Sequence, residues 1–304
     1  MIAHPPRDVT KIAFLACAET LPGPGSRRGD AFEHDLEVAA LRPAFAERGL
    51  DLVEIDWRSP LAAFDGIALA LLGTAWDYQD HAQDFIAKLE AIAALGIAVC
   101  NPPEVVRWNA DKRYLRELEQ RGATIVPTLW VEDAGRDDIV GAMESLSAED
   151  IVIKRQVGAG GIGQYRFAHD ALPAADWRMG QPAVVQPFLP SILEEGEYTF
   201  VFIDGAFSHG VRKRAGGGEY RIQSLFGGYE EAWTPSPADL QTAEQVVAAL
   251  PFSDLLYCRI DMIRLPSGEL AVMEAETIEP YLYPEQGPEL GERLANAVAK
   301  RLDA

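Results

Sequence analysis

Residues 151–163 read Ile-Val-Ile-Lys-Arg-Gln-Val-Gly-Ala-Gly-Gly-Ile-Gly. The three β-branched residues at the start predict a buried β-strand. The last six residues include four glycines, which let the backbone bend sharply or approach a ligand closely. Lys154 lies at the end of the strand, beside this loop. The stretch therefore indicates an anion site, and we expect a phosphate group there.

The glycine spacing Gly158-x-Gly160-x-x-Gly163 matches a dinucleotide-binding fingerprint. That fingerprint needs a following helix, whose N-terminus faces the pyrophosphate. Residues 164–168 instead alternate in polarity and predict a second strand. Strand, glycine loop and strand make a hairpin that can cover phosphates as a lid. Taken alone, the stretch is also compatible with a glycine-rich hairpin that binds nothing.

Length and composition predict a globular protein of two or three domains. The chain has 304 residues, of which 48% are hydrophobic and 24% are charged. Its cysteines, Cys17, Cys100 and Cys258, are far apart and lack metal-ligand spacing. This argues against a zinc site or a disulfide framework and favours a cytoplasmic location. The N-terminus has no long apolar run, so we expect neither a signal peptide nor a membrane span.

The net charge of −20 argues against nucleic acid or an anionic membrane as a partner. Residues 151–221 depart from this balance, with eight Lys or Arg and seven Asp or Glu. A centre of net charge +1 in an acidic chain would accept an anionic ligand. We expect a small-molecule substrate, and a homodimer remains possible.

The first part of the chain alternates strands and helices. This predicts a parallel sheet covered by helices over about residues 8–108. The predicted strands are 11–17, 51–56, 67–72 and 97–100, and the helices are 35–48 and one that runs to about Leu95 from a capping box of Asp80 and Gln83. Ligand loops follow the carboxyl ends of such strands, so residues 73–78 are a candidate substrate contact. They are also compatible with a helix entry packed by aromatic residues.

From residue 108 onwards the pattern changes to hairpins with helices, which is an α+β class. The predicted helices are 108–121, 136–147, 237–250 and 288–302, and the predicted strands are 124–131, 151–157, 164–168, 183–189, 197–203 and 206–214. The dipeptide Asp204-Gly205 between the last two strands predicts a tight hairpin turn.

A final hairpin, with the turn 266–268, carries three carboxylates. Asp261 should lie opposite Glu274, and Glu276 should share their face because it is two residues further along the strand. Like charges opposite one another destabilise a sheet. A Mg²⁺ ion completed by nucleotide phosphates would relieve this repulsion, whereas a solvated acidic edge is the plain alternative.

These features, in this order, resemble the ATP-grasp superfamily of carboxylate–amine ligases over about residues 100 to 285. The resemblance implies an α/β N-terminal domain and two α+β lobes that grip ATP between them. The implied domains are an N-terminal domain (1–108), a small lobe with the glycine-rich lid (109–182) and a large lobe with the metal site (183–304).

The resemblance also implies roles for individual residues. Lys112, on the helix after Asn109, and Lys154 would hold phosphates under a lid formed by Gly160 and Gly161. The remaining positions are Gln186, Pro187, Phe188 and Leu189 for adenine, Glu197 for ribose, and Asp261, Glu274 and Glu276 for two Mg²⁺ ions. The superfamily usually has asparagine in place of Glu276 and glutamate in place of Gln186.

Three further segments resemble a bacterial subgroup that includes the O-ureido-serine cyclo-ligase of cycloserine biosynthesis. They are Trp76-Asp77-Tyr78, residues 101–112 and residues 279–282. This implies that ATP activates a small amino-acid carboxylate as an acylphosphate, with release of ADP, and that a nitrogen of the same molecule displaces the phosphate. Arg259 and Lys154 would be catalytic, and the substrate candidates are Trp76, Asp77, Arg212, Lys213, Arg221 and Glu279.

Three other functions are compatible with parts of the sequence. A ligase of the same fold could join an amino acid to a separate amine. A nicotinamide-dependent oxidoreductase is suggested only by the glycine spacing, and the missing helix after Gly163 argues against it. A non-catalytic protein could bind Mg·ATP without turnover.

Overall fold

The computed structural model describes residues 9–158 and 160–303. The predicted start of the first domain at residue 1, the absence of a signal peptide and the chain end at residue 304 lie outside these ranges, as does Ala159 of the glycine stretch. No helix in the described part is long and apolar enough to cross a membrane.

The first unit is a four-stranded parallel sheet with helices packed against it, as predicted. Its strand order is β2-β1-β3-β4. The elements are β1 (Thr10–Ala16), α1 (Ala31–Ala46), β2 (Leu50–Asp56), β3 (Ile67–Leu72), α2 (Ala82–Ala93) and β4 (Ala98–Cys100). The strand order reverses direction at β1, and a reversal of this kind creates a crevice at the carboxyl ends of the strands.

The predicted capping box of α2 is wrong. The residue before the helix is His81, and no side chain caps the helix there. Asp80 instead forms an ion pair with Arg155, with 2.9 Å between Asp80 Oδ1 and Arg155 Nη2. Asp80 therefore contacts the strand before the glycine loop and does not cap α2.

The predicted helix 108–121 is in fact two helices, α3 (Pro103–Asn109) and α4 (Tyr114–Gln120). Lys112 lies in the turn between them and not on a helix, as the sequence had suggested. Its backbone N–H donates to Gln156 O at 3.0 Å. The break therefore anchors Lys112 beside the glycine loop.

The second unit is an antiparallel sheet with the order β5-β8-β6-β7. Its elements are β5 (Leu129–Val131), α5 (Arg136–Leu146), β6 (Asp150–Arg155), β7 (Tyr165–Ala168) and β8 (Ala183–Pro187). A strand follows the glycine loop, as predicted, which removes the support for a dinucleotide fingerprint. The predicted domain boundary after residue 182 cuts this sheet, because β8 pairs with both β5 and β6.

The third unit is a five-stranded antiparallel sheet with the order β11-β10-β9-β12-β13. Its elements are α6 (Ser191–Glu194), β9 (Glu197–Ile203), β10 (Ala206–Arg214), β11 (Tyr229–Trp233), α7 (Pro237–Ala249), β12 (Tyr257–Arg264), β13 (Leu270–Glu276) and α8 (Leu290–Leu302). The turn at Asp204 and Gly205 joins β9 to β10, as predicted, with positive φ angles at both residues. Asp261 pairs with Glu274, which confirms the predicted register.

The predicted strand 124–131 is divided between the two antiparallel sheets. Residues 124–126 hydrogen-bond to Val272 of β13, whereas β5 pairs with β8. The chain therefore crosses from the large sheet to the small sheet within one predicted strand.

Buried asparagines join the first unit to the large sheet. Asn101 donates to the carbonyl oxygens of Tyr257 at 2.9 Å and of Thr277 at 2.7 Å. Asn109 donates to Ala275 O at 2.7 Å and accepts from the Thr277 N–H at 2.8 Å. Because buried amides need partners on both sides, these bonds fix how the parallel sheet sits over the end of β13.

Helix α8 completes the core of the first unit. Its residues Leu290, Leu294 and Val298 are buried in one cluster with the parallel sheet. A Cβ atom on Gly291 would lie 2.4 Å from Ala40 O, so only glycine permits this close approach to α1. Helix α8 therefore packs against α1 and the parallel sheet of the first unit.

Glu37 of α1 gives a test of this packing. The side chain is 2% exposed, and one of its oxygens lacks a hydrogen-bond partner among the described residues. Burial raises the pKa of Glu37 to about 8, against the opposing effect of the Leu282 N–H. Between its ordinary value of 4.5 and about 8, the native state holds a proton that the unfolded state has released. Stability conferred by this group is therefore lost as pH rises.

Between pH 5 and pH 8, we expect the free energy of unfolding to fall less in the Glu37→Gln variant than in the wild type. The difference should be about 1.4 kcal/mol for each unit by which burial raises the pKa of Glu37. Thermal or urea unfolding at a series of pH values measures this. The exposed Glu47→Gln variant is the control and should follow the wild type. Parallel pH profiles for Glu37→Gln and the wild type would contradict the burial argument.

Candidate active site

A cleft of about 880 Å³ lies between the two antiparallel sheets and under the glycine loop. All the residues that the sequence assigns to nucleotide binding line it, namely Lys112, Lys154, Gly160, Gly161, Gln186, Pro187, Phe188, Leu189 and Glu197. They come from the turn before α4, from β6 and its loop, from the end of β8 and from the start of β9. The fold thus brings together residues that are up to 85 positions apart.

Two lysines line this cleft. Lys112 forms an ion pair with Glu274, at 2.8 Å between Nζ and Oε1, and donates to Gly158 O. Lys154 forms no ion pair within the described part of the chain. Burial lowers the pKa of Lys154, and the charge of Lys112 lowers it further against the opposing effect of Glu274. An ammonium group placed in this way attracts an anion.

Another part of the cleft lining is apolar. Its lining side chains include Val126, Val152, Ile192, Ile263 and Met273, which the sequence analysis did not identify. They come from separate elements, and no local pattern relates them. Together they form a slot suited to a flat aromatic ring.

Polar groups flank this slot. Gln186 is buried and donates to Thr128 Oγ1 at 2.9 Å. The Phe188 N–H donates to Asp150 O at 2.8 Å. Phe188 is one of the predicted adenine contacts, and its N–H is therefore not free to bind the adenine. The Phe188 ring meets Tyr220 edge to face, with 5.8 Å between centroids.

The three predicted metal carboxylates are each paired with a cation. Asp261 accepts from Thr199 Oγ1 at 2.6 Å and lies 2.9 Å from Arg259 Nη2. Glu276 also contacts Arg259, and Glu274 contacts Lys112. In the described ranges, no three acidic, histidine or cysteine side chains converge closely enough to hold a metal ion unaided.

The charges in this region are strongly coupled. Burial raises the pKa of Asp261, but Arg259 and Lys213 lower it to about 2. For Glu276, burial and the neighbouring carboxylates outweigh Arg259 and raise the pKa to about 7. Glu197, 6% exposed, lies 2.5 Å from Lys213 Nζ. The site therefore has one firmly ionised carboxylate and one that exchanges its proton near neutral pH.

A second cavity, of about 810 Å³, lies between the first unit and the large sheet. It shares Gly160, Glu197, Ile222, Gln223 and Glu274 with the cleft, so the two spaces adjoin. The predicted substrate and catalytic residues that line it are Trp76, Lys213, Arg259 and Glu279, and all three predicted metal carboxylates line it as well. Sequence reasoning assigned no role to its remaining polar lining residues, which are Arg28, Asp30, Glu33, Gln79, Gln223, Ser224, Glu230, Tyr281 and Tyr283.

For three of these residues, the position in the sequence could have indicated that they belong to the site. Arg28, Asp30 and Glu33 follow the carboxyl end of β1, the strand at which the sheet order reverses. The Arg28 guanidinium lies 5.1 Å from the centre of the Trp76 ring and 2.5 Å from Asp30 Oδ1. Loops at such a reversal form binding crevices, so the segment after β1 could have been identified as part of the site.

Two predicted substrate residues line neither cavity. Asp77 accepts from Trp57 Nε1 at 2.7 Å and contacts Arg58. Arg212 donates to Glu195 O, since side chains alternate along β10 and Lys213 takes the cavity side. These positions do not support a substrate contact for Asp77 or Arg212. Arg221 lines the cleft under the glycine loop and not the second cavity.

Comparison with known proteins identifies the fold. Residues 12–101 match the family described as the N-terminal domain of D-cycloserine synthetase DcsG. The cycloserine biosynthesis protein DcsG of Streptomyces lavendulae is 26% identical over 289 residues, covering 88% of this chain and 94% of that protein.

Solved structures give the same fold over almost the whole chain. The crystal structure of D-cycloserine synthetase DcsG superposes with a TM-score of 0.82 at 23% identity, covering 96% of this chain and 99% of the other. The ATP-grasp ligase PsnB, solved with a precursor variant, Mg and ADP, gives a TM-score of 0.65 at 16% identity, covering 97% and 99%. The chain therefore has the predicted ATP-grasp fold.

The buried pairing of Lys213 gives a stability test. Its ammonium group lies 2.5 Å from Glu197 Oε1 and 3.1 Å from Asp261 Oδ1, and all three side chains are nearly inaccessible. Removing one partner of a buried ion pair leaves an uncompensated charge. We expect Lys213→Met to lower the free energy of unfolding by about 3 kcal/mol or more.

Urea unfolding at pH 7 measures this effect. The control is Lys300→Met, which breaks an exposed pair with Asp204 and should cost about 1 kcal/mol or less. Equal losses of unfolding free energy in the two variants would contradict the conclusion that the buried ion pairs of Lys213 stabilise the site.

Proposed function

We propose that this ATP-grasp protein is an ADP-forming carboxylate–amine ligase that closes a ring within one small amino acid. The specific reaction we propose is the conversion of O-ureido-D-serine to D-cycloserine. One observation carries the ligase assignment: Lys154, which has no ion-pair partner in the described part of the chain, and the opposed carboxylates Asp261 and Glu274 line a nucleotide-sized cleft and the cavity that adjoins it.

The cleft suits ATP along its whole length. The apolar slot beside Gln186 and Phe188 would take the adenine ring, and buried Glu197 at the start of β9 would face the ribose. Lys112 and Lys154, which also line the cleft, would hold the phosphates. An ammonium group that has no ion-pair partner among the described residues, in the cleft of an acidic chain, favours a polyanionic ligand.

The carboxylate donors suit Mg²⁺, which prefers oxygen ligands and usually takes only a few from the protein. Asp261, Glu274 and Glu276 would hold the metal, and we propose two ions. Because these groups do not close a metal site by themselves, phosphate oxygens must complete the ligand set. Bound Mg²⁺ would neutralise charge that develops on the transferring phosphoryl group.

The reaction needs charge neutralisation more than a protein nucleophile. A substrate carboxylate oxygen bonds to the γ-phosphorus while the bond to ADP breaks. The nitrogen then bonds to the acyl carbon, phosphate leaves, and the nitrogen gives up a proton. Arg259, which lines the second cavity beside Asp261, would stabilise the oxygens that gain charge in both steps, and Lys154 would do so for the phosphoryl group.

Ring closure is supported by the likeness to DcsG, a protein named for cycloserine biosynthesis. An internal nucleophile gains an effective concentration of up to ~10⁵ M or more when it is well oriented. Formation of D-cycloserine also requires loss of the carbamoyl group, which water can remove as carbon dioxide and ammonia. Trp76, Lys213 and Glu279 would form walls of the substrate space.

A second candidate is an intermolecular ligase that joins an amino acid to a separate amine. The observation that favours it is the likeness to the ATP-grasp ligase PsnB, which was solved with a variant of a separate precursor besides Mg and ADP. The experiment that separates the two functions is the requirement for a second substrate.

We expect Lys154→Ala to abolish the rise in unfolding temperature that Mg²⁺ and ATP produce together, because it removes the unpaired cation of the cleft. Thermal unfolding with and without Mg·ATP measures this. Lys88→Ala is the matched control, since Lys88 donates to Ser59 O in the first unit and should leave the rise unchanged. A full rise in Lys154→Ala would refute the phosphate assignment.

We expect O-ureido-D-serine to trigger ADP release without any added amine. A coupled assay of ADP with this compound and with a panel of small amino acids, each with and without a separate amine, measures this. ADP release only in the presence of an amine would replace ring closure by the intermolecular reaction. Stabilisation by Mg·ATP without ADP release from any compound would overturn the ligase assignment.

A further inference from the structure

A buried hydrogen-bond network joins four elements at the carboxyl ends of the parallel strands. Its members are Glu54 on β2, His34 on α1, Thr74 after β3 and Thr20 after β1. His34, Thr74 and Thr20 are each 0% exposed. None of the four lines the cleft or the second cavity, so the proposed reaction gives them no role. Burying polar side chains costs free energy unless they are paired, and these four pair with one another.

The His34 ring is the centre of this network. Its Nε2 lies 2.9 Å from Glu54 Oε1, and its Nδ1 lies 2.6 Å from Thr74 Oγ1. Because a carboxylate only accepts hydrogen bonds, the hydrogen of a neutral ring is on Nε2, and Nδ1 accepts from the Thr74 hydroxyl. The Phe14 ring packs beside His34, and a Cβ atom on Gly73 would lie 2.3 Å from Phe14 Cε1. The chain at Gly73 and Thr74 therefore has little freedom to move.

Thr74 also holds the start of the loop that follows β1. The Cys17 N–H donates to Thr74 O at 3.2 Å, and the Thr20 hydroxyl donates to the same oxygen at 3.1 Å. The Thr20 carbonyl in turn accepts from Arg27 Nε at 3.2 Å. Arg27 forms an ion pair with Asp35 of α1 at 2.8 Å. The loops after β1 and β3 are therefore joined through Thr74.

These two loops supply one wall of the second cavity. Arg28 comes from the loop after β1, Trp76 comes from the loop after β3, and both line the cavity. Their contact is a cation–π pair, with 5.1 Å from the guanidinium to the centre of the ring. Both side chains are half-buried, and a cation–π pair that is partly solvated is weak. The position of this wall therefore depends on the hydrogen bonds beneath it.

Trp76 is also fixed from its other side. Asp77 accepts from Trp57 Nε1 at 2.7 Å and contacts Arg58. This accounts for Asp77, which lines neither cavity although the sequence analysis placed it with the substrate residues. Trp76 thus lies between two anchored positions, and its own Nε1 donates to Glu279 O at 3.0 Å.

We infer that His34 and Thr74 are positioning residues for the substrate. The buried network sets how the two loops lie relative to one another, and so where Arg28 and Trp76 stand in the cavity wall. The inference rests on the proposed function, because it takes the second cavity as the substrate space. It adds residues that act without touching the substrate, since a displacement of about 1 Å can lower a rate about 100-fold. The nucleotide cleft is lined by no residue of either loop, so ATP binding should not depend on the network.

Steady-state kinetics of the Thr74→Val variant test this inference. Valine keeps the shape of threonine but has no hydroxyl, so His34 Nδ1 loses its partner. With O-ureido-D-serine as substrate, we expect kcat/KM for this compound to fall by about tenfold or more. The KM for ATP should stay at the wild-type value. Thr74→Ser restores the hydroxyl and should recover most of the lost kcat/KM.

Thr242→Val is the matched control. The Thr242 hydroxyl donates to Ala238 O within α7 at 3.0 Å, and Thr242 lines neither cavity, so the same substitution should leave both constants unchanged. If Thr74→Val does not fold, Glu54→Ala replaces it. Glu54 is partly exposed, and its removal leaves His34 Nε2 without its acceptor, so kcat/KM should fall in the same selective way.

Hydrogen exchange separates this inference from the proposed reaction because it needs no substrate. In Thr74→Val, we expect the amides of residues 17–30 and 73–78 to exchange faster together, while those of β9 exchange as in the wild type. If no compound triggers ADP release, faster exchange in both loops would support the positioning role although the proposed reaction fails. Wild-type kcat/KM in Thr74→Val, an equal rise of the KM for ATP, or faster exchange in the loop after β3 alone would overturn it.

Discussion

The site depends on the buried ion pairs around Asp261. This carboxylate is 3% exposed in the centre of the large sheet, where an unpaired charge would be very costly. Arg259 on the same strand and Lys213 on β10 compensate it. Lys213 reaches Asp261 across β9, so the charges are satisfied only when three strands are in register. The ion pairs that stabilise the sheet therefore also fix the positions of the groups that we assign to phosphoryl transfer.

This network also separates two electrostatic environments. On the cleft side, Lys154 has no carboxylate partner among residues 9–158 and 160–303, and the lining towards the slot is apolar. On the other side, the lining residues include eight acidic and three basic side chains. One wall, which includes Glu197 and Glu274, borders both spaces.

Much of the nucleotide side was predictable because its signals are local. The strand–loop–strand pattern around Gly160 depends on neighbouring residues, and the Asp204-Gly205 turn sets the pairing of its own strands. The pairing of Asp261 with Glu274 follows from counting outwards from one turn. Errors arose where a distant contact outweighed a local preference. Asp80 is bound by Arg155 and caps no helix.

The sequence by itself determined the parallel first sheet, the glycine-rich hairpin, the order of the phosphate and carboxylate residues and the overall acidity. Each of these depends only on neighbouring residues or on composition. Only the tertiary structure decided which side chains share the second cavity. Ser224 donates to Glu33, 191 positions away, because the first unit docks on the large sheet through Asn101 and Asn109. Such contacts depend on the whole fold, since no local pattern encodes which buried charges are left without a partner.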